Sequence, residues 1–265
     1  MDMPKNFFDP TLLDTEYVKQ LRTTYEDTRG TPFLNYYRSY PQFISALSAI
    51  HEYKKEHARS YSKRVKQEHD IKNCEAILTE IVVYSSYLPL VQEGHIRALS
   101  LKHDDYDLKI ERSDGSAAFL EVFCLMPDFT PNDRGVIDIQ THTQQAMSSV
   151  RQKLLRKIAK QRQMKQSREN WAVIELNNHT IAGDFAVLSS LSSGYKVELD
   201  PRTMKRVREG YDWSGSVFED ESTRHLKGII YFSLGNYADR RLVLNPFYSP
   251  TKRTENMEAF QGTAQ

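Results

Sequence analysis

Two spacings of apolar residues alternate along this chain. In residues 13–28 (LDTEYVKQLRTTYEDT) and 40–67 (YPQFISALSAIHEYKKEHARSYSKRVKQ) they recur every three or four positions, which predicts amphipathic helices. Thr31-Pro32 and Tyr40-Pro41 punctuate these runs, because a residue before proline is disfavoured in a helix. Residues 73–88 (NCEAILTEIVVYSSYL) predict another helix. Ile71, Cys74, Leu78, Ile81, Val82 and Ser85 fall on one stripe, and Pro89 and Gly94 follow it. The spacing then falls to two. Residues 106–123 (YDLKIERSDGSAAFLEVF) read as two strands around Ser113-Asp114-Gly115. In the second strand Leu120, Val122 and Cys124 point one way, and Phe119, Phe123 and Leu125 the other, so both faces require cover.

A proline-rich connector, MPDFTPND, leads to a helical pattern from Ile137 to Gln166. Trp171 to Leu176, Gly228 to Leu234 and Arg241 to Leu244 read as further strands, with Asn245-Pro246 closing the last. Residues 178–215 read as loops with short elements, and the tail after Pro250 as loose. A hairpin followed by a helical crossover to another strand predicts an α/β fold, a central mixed sheet flanked by helices. The expected division is a helical N-terminal extension over 1–67, the sheet domain over 68–250 and a tail over 251–265.

The second strand carries Glu121 in its apolar middle, and the first carries Asp107. With a three-residue loop of Ser113, Asp114 and Gly115, the glycine takes the left-handed position and Arg112 pairs with Ser116. Counting outward then sets Asp107 opposite Glu121 on one face. A two-residue Asp-Gly loop would shift the register by one and send them to opposite faces. Two adjacent carboxylates repel unless they share a proton or hold a cation, and oxygen donors suit hard divalent ions such as Mg²⁺ or Mn²⁺. The other reading is that Glu121 sits at a sheet end and Asp107 caps a turn.

The order helix, hairpin with Asp then Glu, long basic helix and strand, over residues 70 to 177, resembles the PD-(D/E)XK nuclease superfamily with its restriction-endonuclease-like fold. The resemblance implies that Asp107 (in DYDLKI) and Glu121 (in LEVF) bind Mg²⁺ or Mn²⁺. It also implies that Glu75 or Glu80 on the preceding helix joins them. The superfamily's lysine, two residues after the Glu, is replaced here by Phe123. The implied activity is metal-dependent hydrolysis of phosphodiester bonds in nucleic acid, DNA ahead of RNA, and a homodimer is compatible with it. A relative that has lost catalysis and acts as a nucleic-acid-binding or protein-interaction module is the rival expectation, and it rests on Phe123.

A substitute lysine is sought on the basic helix. Residues 151–168 hold eight Lys or Arg and no acid. Met147, Val150, Leu154 and Ile158 form its apolar stripe, Gln161 lies near the stripe's centre and Lys157 at its edge. Lys157 is the candidate catalytic lysine, with Lys153, Arg156 and Lys160 as candidate phosphate contacts; the other reading is a solvated basic face with Lys157 incidentally at its border. Residues 54–66 hold six Lys or Arg and one Glu, a pattern that predicts a solvated face.

Composition narrows this little. The 265 residues are 39% hydrophobic and 27% charged, with a net charge of +1, so only local clustering favours an anionic partner. Cys74 and Cys124 lie in apolar runs and read as buried thiols. The opening MDMPKNFFDP lacks a signal-peptide pattern and no apolar run is long enough for a bilayer, so a cytoplasmic protein without membrane contact is expected. No zinc-ligand spacing, glycine-rich phosphate loop or nucleophile elbow is present.

Overall fold

The computed structural model of the chain describes residues 40–68, 71–125, 168–176, 191–233 and 236–249, with isolated residues 151, 152, 155, 156, 165, 188 and 189. Among the described residues four helices precede the sheet: α1 (Tyr40–Tyr53), α2 (Lys55–Gln67), α3 (Ile71–Ser86) and the short α4 (Leu88–Gln92). Eight strands follow: β1 (Ile96–Lys102), β2 (Tyr106–Arg112), β3 (Ala117–Leu125), β4 (Glu169–Leu176), β5 (Tyr195–Leu199), β6 (Arg206–Tyr211), β7 (Leu226–Ser233) and β8 (Arg241–Leu244). Six of them form one mixed sheet in the order β1-β2-β3-β4-β7-β8. β1, β2 and β3 run antiparallel as a meander, β4 and β7 run parallel to β3, and β8 is antiparallel. This is the α/β class with a mixed central sheet that the pattern predicts.

Both faces of the sheet are covered. Leu108, Ile110, Leu120, Val122, Trp171, Val173, Ile230 and Phe232 pack with α1, α2 and α3 in one core. Phe123, Leu125, Ala172, Ile174, Ile229 and Tyr231 point the opposite way into a second core with Leu191, Val217 and Phe218. The alternation along β3 is as the sequence predicts, and Phe123 is an interior residue of the second core. Of the long helix expected over 137–166, the described residues 151, 152, 155 and 156 are helical. Leu155 packs on the second core. Most of that helix, including Lys153, Lys157 and Lys160, lies outside the described residues, as does the helix expected over 13–28.

The expected single stripe on α3 gives way to burial nearly all round. Ile77, Leu78, Ile81, Val83 and Tyr84 are buried, together with Glu75, Thr79 and Glu80. The helix is sandwiched between the sheet and the α1–α2 pair, so among its described side chains only Asn73 is fully exposed. The run 40–67 is two helices, broken at Lys54, whose backbone is extended (φ −155, ψ 102). Leu47 and Ile50 of α1 and Ala58, Tyr61 and Val65 of α2 join the core beneath the sheet. The described part of the N-terminal helical segment thus shares its interior with the sheet.

β1 was not legible as a strand. A bulge between Ile96 and Ala98 puts its two buried residues, Ile96 and Leu99, three apart, which breaks the period of two. β5 and β6 lie in the stretch expected to hold loops with short elements. They form a separate antiparallel pair, exposed almost throughout.

Candidate functional site

The hairpin between β2 and β3 closes as its sequence predicts. Arg112 N donates to Ser116 O at 2.9 Å, Gly115 N donates to Arg112 O at 3.0 Å, and Gly115 has φ +84. The register is Glu111↔Ala117, Ile110↔Ala118, Lys109↔Phe119 and Leu108↔Leu120. The next step in this register sets Asp107 opposite Glu121. Here a side chain takes over from the ladder: Val122 N donates to Asp107 Oδ2 at 2.8 Å. The Asp107 carboxylate thereby reaches a cleft on the helical side of the sheet, with Val122 on its wall. Asp107 and Glu121 are both buried, as are Glu75 and Glu80 on α3.

The cleft has a volume of about 430 Å³ and is lined by Arg64, Asn73, Ile77, Glu80, His103 and Asp107, among others. Three elements bring its charged groups together. α2 supplies Arg64, α3 supplies Glu80, and the turn joining β1 to β2 supplies His103. One donor atom from each of Glu80, His103 and Asp107 lies within 4.8 Å of the other two, and these three are the candidate metal-ligating group among the described residues. Arg64 grips Glu80 with both terminal nitrogens, at 2.5 and 2.8 Å, and its Nη1 lies 2.9 Å from His103 Nδ1. Ser60 Oγ lies 3.4 Å from His103 Nε2.

The electrostatics follow from burial. Desolvation raises the Glu80 pKa to about 8, Asp107 and Glu121 add to the rise, and Arg64 opposes it. Burial, with Arg64 next to it, lowers His103 to about 4, so this imidazole is neutral at physiological pH. Burial works against the charge on Arg64, but Glu80 outweighs it and the Arg64 pKa rises. Ionised carboxylates held as close as Glu80 and Asp107 repel, and a divalent cation or a retained proton relieves that repulsion.

The expected site residues are thus distributed unevenly. Asp107 is in the cleft. Glu121 is buried at the same level of β3 but shares the parity of Phe123, and it is neither among the residues lining the cleft nor one of the three converging donors, so the expected Asp107–Glu121 pair is not what meets there. Of the two α3 candidates, Glu80 joins Asp107. Glu75 instead lies close enough to Glu175 of β4 for burial and that neighbour's charge to hold its pKa well above the carboxylate range. Thr79 donates to Glu175 and, at 2.9 Å, to the Glu75 backbone carbonyl. Arg156 is exposed and lies 3.3 Å from Gln152 Oε1. Lys165 and Arg168, two further cations of the basic run, are engaged by Asp105 at 2.7 and 2.9 Å. Arg168 also lies 4.4 Å over the Phe119 ring.

Sequence reasoning missed His103 and Arg64. His103 sits in the turn after the unrecognised β1. Arg64 looked like one cation among six on a solvated face, yet Arg59 and Lys63 are exposed while Arg64 turns inward. Its place three residues after the buried Tyr61 and next to the buried Val65 was the available signal.

Fold and cleft define an α/β protein with a mixed six-stranded sheet and an acidic, histidine-bearing cleft at the edge of its meander. Comparison with protein-family models, with curated proteins and with solved structures found no match. Among the described residues no helix is long and apolar enough to cross a membrane.

Proposed function

We propose that the chain is a divalent-cation-dependent hydrolase of phosphodiester bonds in nucleic acid, with a restriction-endonuclease-like core of the PD-(D/E)XK type. The observation that carries this reading is the convergence of Glu80, His103 and Asp107 donors within 4.8 Å at the cleft. The element order supports it: a buried helix, an antiparallel meander, then a parallel strand, with Asp on the second strand and Glu on the third. Carboxylate oxygens with one imidazole nitrogen suit Mg²⁺ or Mn²⁺. Such an ion would lower the pKa of an attacking water and neutralise charge on the phosphoryl oxygens. In this reading Asp107 and Glu80 hold the cation, and Val122 N–H orients the Asp107 carboxylate. Arg64 offers its charge to the substrate phosphate.

One observation favours a second reading. Arg64 already satisfies Glu80 with two hydrogen bonds, and Phe123 is sealed in the second core, so the cleft could be a self-neutralised relic in a protein that binds without cleaving. Mn²⁺ titration and cleavage of labelled DNA by the full chain separate the two. The enzyme reading expects Mn²⁺ binding and Mg²⁺-dependent cleavage. Both should fall by about a hundredfold or more in Asp107→Ala and Glu80→Ala with the fold retained. Retained nucleic-acid binding with no cleavage by the wild type favours the second reading, and absence of metal binding and of cleavage removes the first.

A further inference from the structure

The β5–β6 ribbon is used by neither core. It stands apart from the six-stranded sheet and is rooted by a ladder of rings. Tyr195 packs edge-on against Tyr211 at 5.2 Å, Tyr211 meets Trp213 at 6.4 Å, and Trp213 meets the buried Phe218 at 5.7 Å. Beyond this root the strands project without cover. Tyr195, Val197 and Leu199 are each 44% exposed, and Met204 and Val207 at the far end are 68% and 69% exposed. A soluble ribbon kept only from aggregating would carry charge at these places.

The far end is also cationic. Residues 200–208 (DPRTMKRVR) hold Arg202, Lys205, Arg206 and Arg208 against Asp200 alone. Asp200 Oδ1 is itself engaged by the backbone N–H groups of Arg202 and Thr203, both at 2.8 Å. Arg206 pairs with Glu209 at 3.0 Å, which leaves Arg202, Lys205 and Arg208 without a salt bridge among the described residues. The turn is fixed: Asp200 N donates to Lys205 O, and Met204 N to Asp200 O, each at 2.8 Å. Met204 is thereby held at φ 55, a left-handed conformation that a side chain adopts at a cost, and it packs into neither core. A strained apolar tip flanked by unpaired cations matches a groove lined by phosphates. Arms of this kind set an apolar wedge against base steps while cations take the backbone.

We propose that the β5–β6 ribbon is an arm that binds duplex DNA through the minor groove, with Met204 against the bases and Arg202, Lys205 and Arg208 on the phosphates. The inference rests on the nucleic-acid reading above and names its substrate class. B-form DNA has a narrow minor groove that can grip such a tip, whereas the A-form groove of RNA is wide and shallow.

The test is fluorescence anisotropy of the full chain with labelled duplex DNA and duplex RNA, in EDTA and over a salt series. The wild type should bind DNA more tightly than RNA. Arg202→Glu with Lys205→Glu should weaken DNA binding about tenfold or more, and should flatten the salt slope by about 0.9 per lost phosphate contact. Met204→Gly, which relieves the strained φ, should weaken binding with the slope and the melting temperature held. Wild-type affinity in both variants, equal affinity for RNA, or no duplex binding by the wild type overturns the proposal. Mn²⁺ binding keeps the two readings apart. Normal metal binding in the ribbon variants with DNA affinity lost supports the arm whatever the cleft does. Unchanged DNA affinity in those variants, with metal binding lost only in Asp107→Ala, removes the arm and leaves the cleft.

Discussion

Glu80 sits among charges of both signs, and its titration reports on the cleft. Its folded pKa, about 8, lies above the ordinary 4.5, so its contribution to stability is fully present below about pH 4.5 and is lost as pH rises through 8. His103 has the opposite sign. Its folded pKa of about 4 is below the ordinary 6.5, so its contribution is present above 6.5 and is lost as pH falls through 4. Between pH 6.5 and 8 the histidine contribution is flat and the Glu80 contribution still falls. Thermal unfolding of the metal-free wild type should therefore lose stability over that window relative to Glu80→Gln, which has no carboxyl to titrate. Parallel profiles for the two proteins would show that Glu80 is already ionised. Phe123 illustrates the limit of residue-level reading. Where the resemblance calls for a lysine, this chain has a side chain that β3 turns into the second core, where an ammonium would lose its hydration.

Individual elements are held by contacts their own sequences announce only in part. Glu169, at the start of β4, accepts from Arg112 of β2 and from Lys227 of β7 at 2.9 Å, and also from its neighbour Trp171 at 2.9 Å. One carboxylate thus ties three strands at one end of the sheet, and Arg112, Lys227 and Trp171 together hold its pKa down against burial. Gly228 of β7 lies against the same tryptophan. A β carbon there would come within 2.6 Å of Val243 O and 2.8 Å of the Trp171 ring. Gly228→Ala should cost about 1–3 kcal/mol of stability in denaturant unfolding, since backbone on one side and a packed indole on the other leave little room to yield. A neutral result would mean that β7 and β8 separate more easily than their register suggests.

Across the whole molecule, the helices before β1 are part of the same interior as the sheet. Ile50 of α1 is fully buried in the core that holds Leu120 and Val173. Ile50→Ala should remove about 2–5 kcal/mol. It should also lower the midpoint of a single cooperative transition seen by every probe. A second transition confined to helical signal would indicate that α1 and α2 unfold on their own. The cleft depends on this shared interior, because Arg64 comes from α2, Glu80 from α3 and Asp107 from β2. Loss of α2 docking would leave Glu80 without its guanidinium.

The sequence by itself determined whatever rests on local chemistry. The Ser-Asp-Gly turn with its left-handed glycine decided the register of β2 against β3 and so brought Asp107 to the level of Glu121. The period-two run of β3 told that both faces of the sheet are covered, and the apolar runs of β4, β7 and β8 marked their places. Tertiary structure alone decided which polar groups meet. The positions of Glu75 and Glu80 on a largely buried helix do not reveal that one faces Glu175 and the other Asp107. The bulge that hid β1 also hid the turn that delivers His103. Arg64 reads as a surface cation until α2 packs against α3, because a side chain's neighbours across 16 residues of chain to Glu80 and 39 to His103 are fixed by packing rather than by spacing.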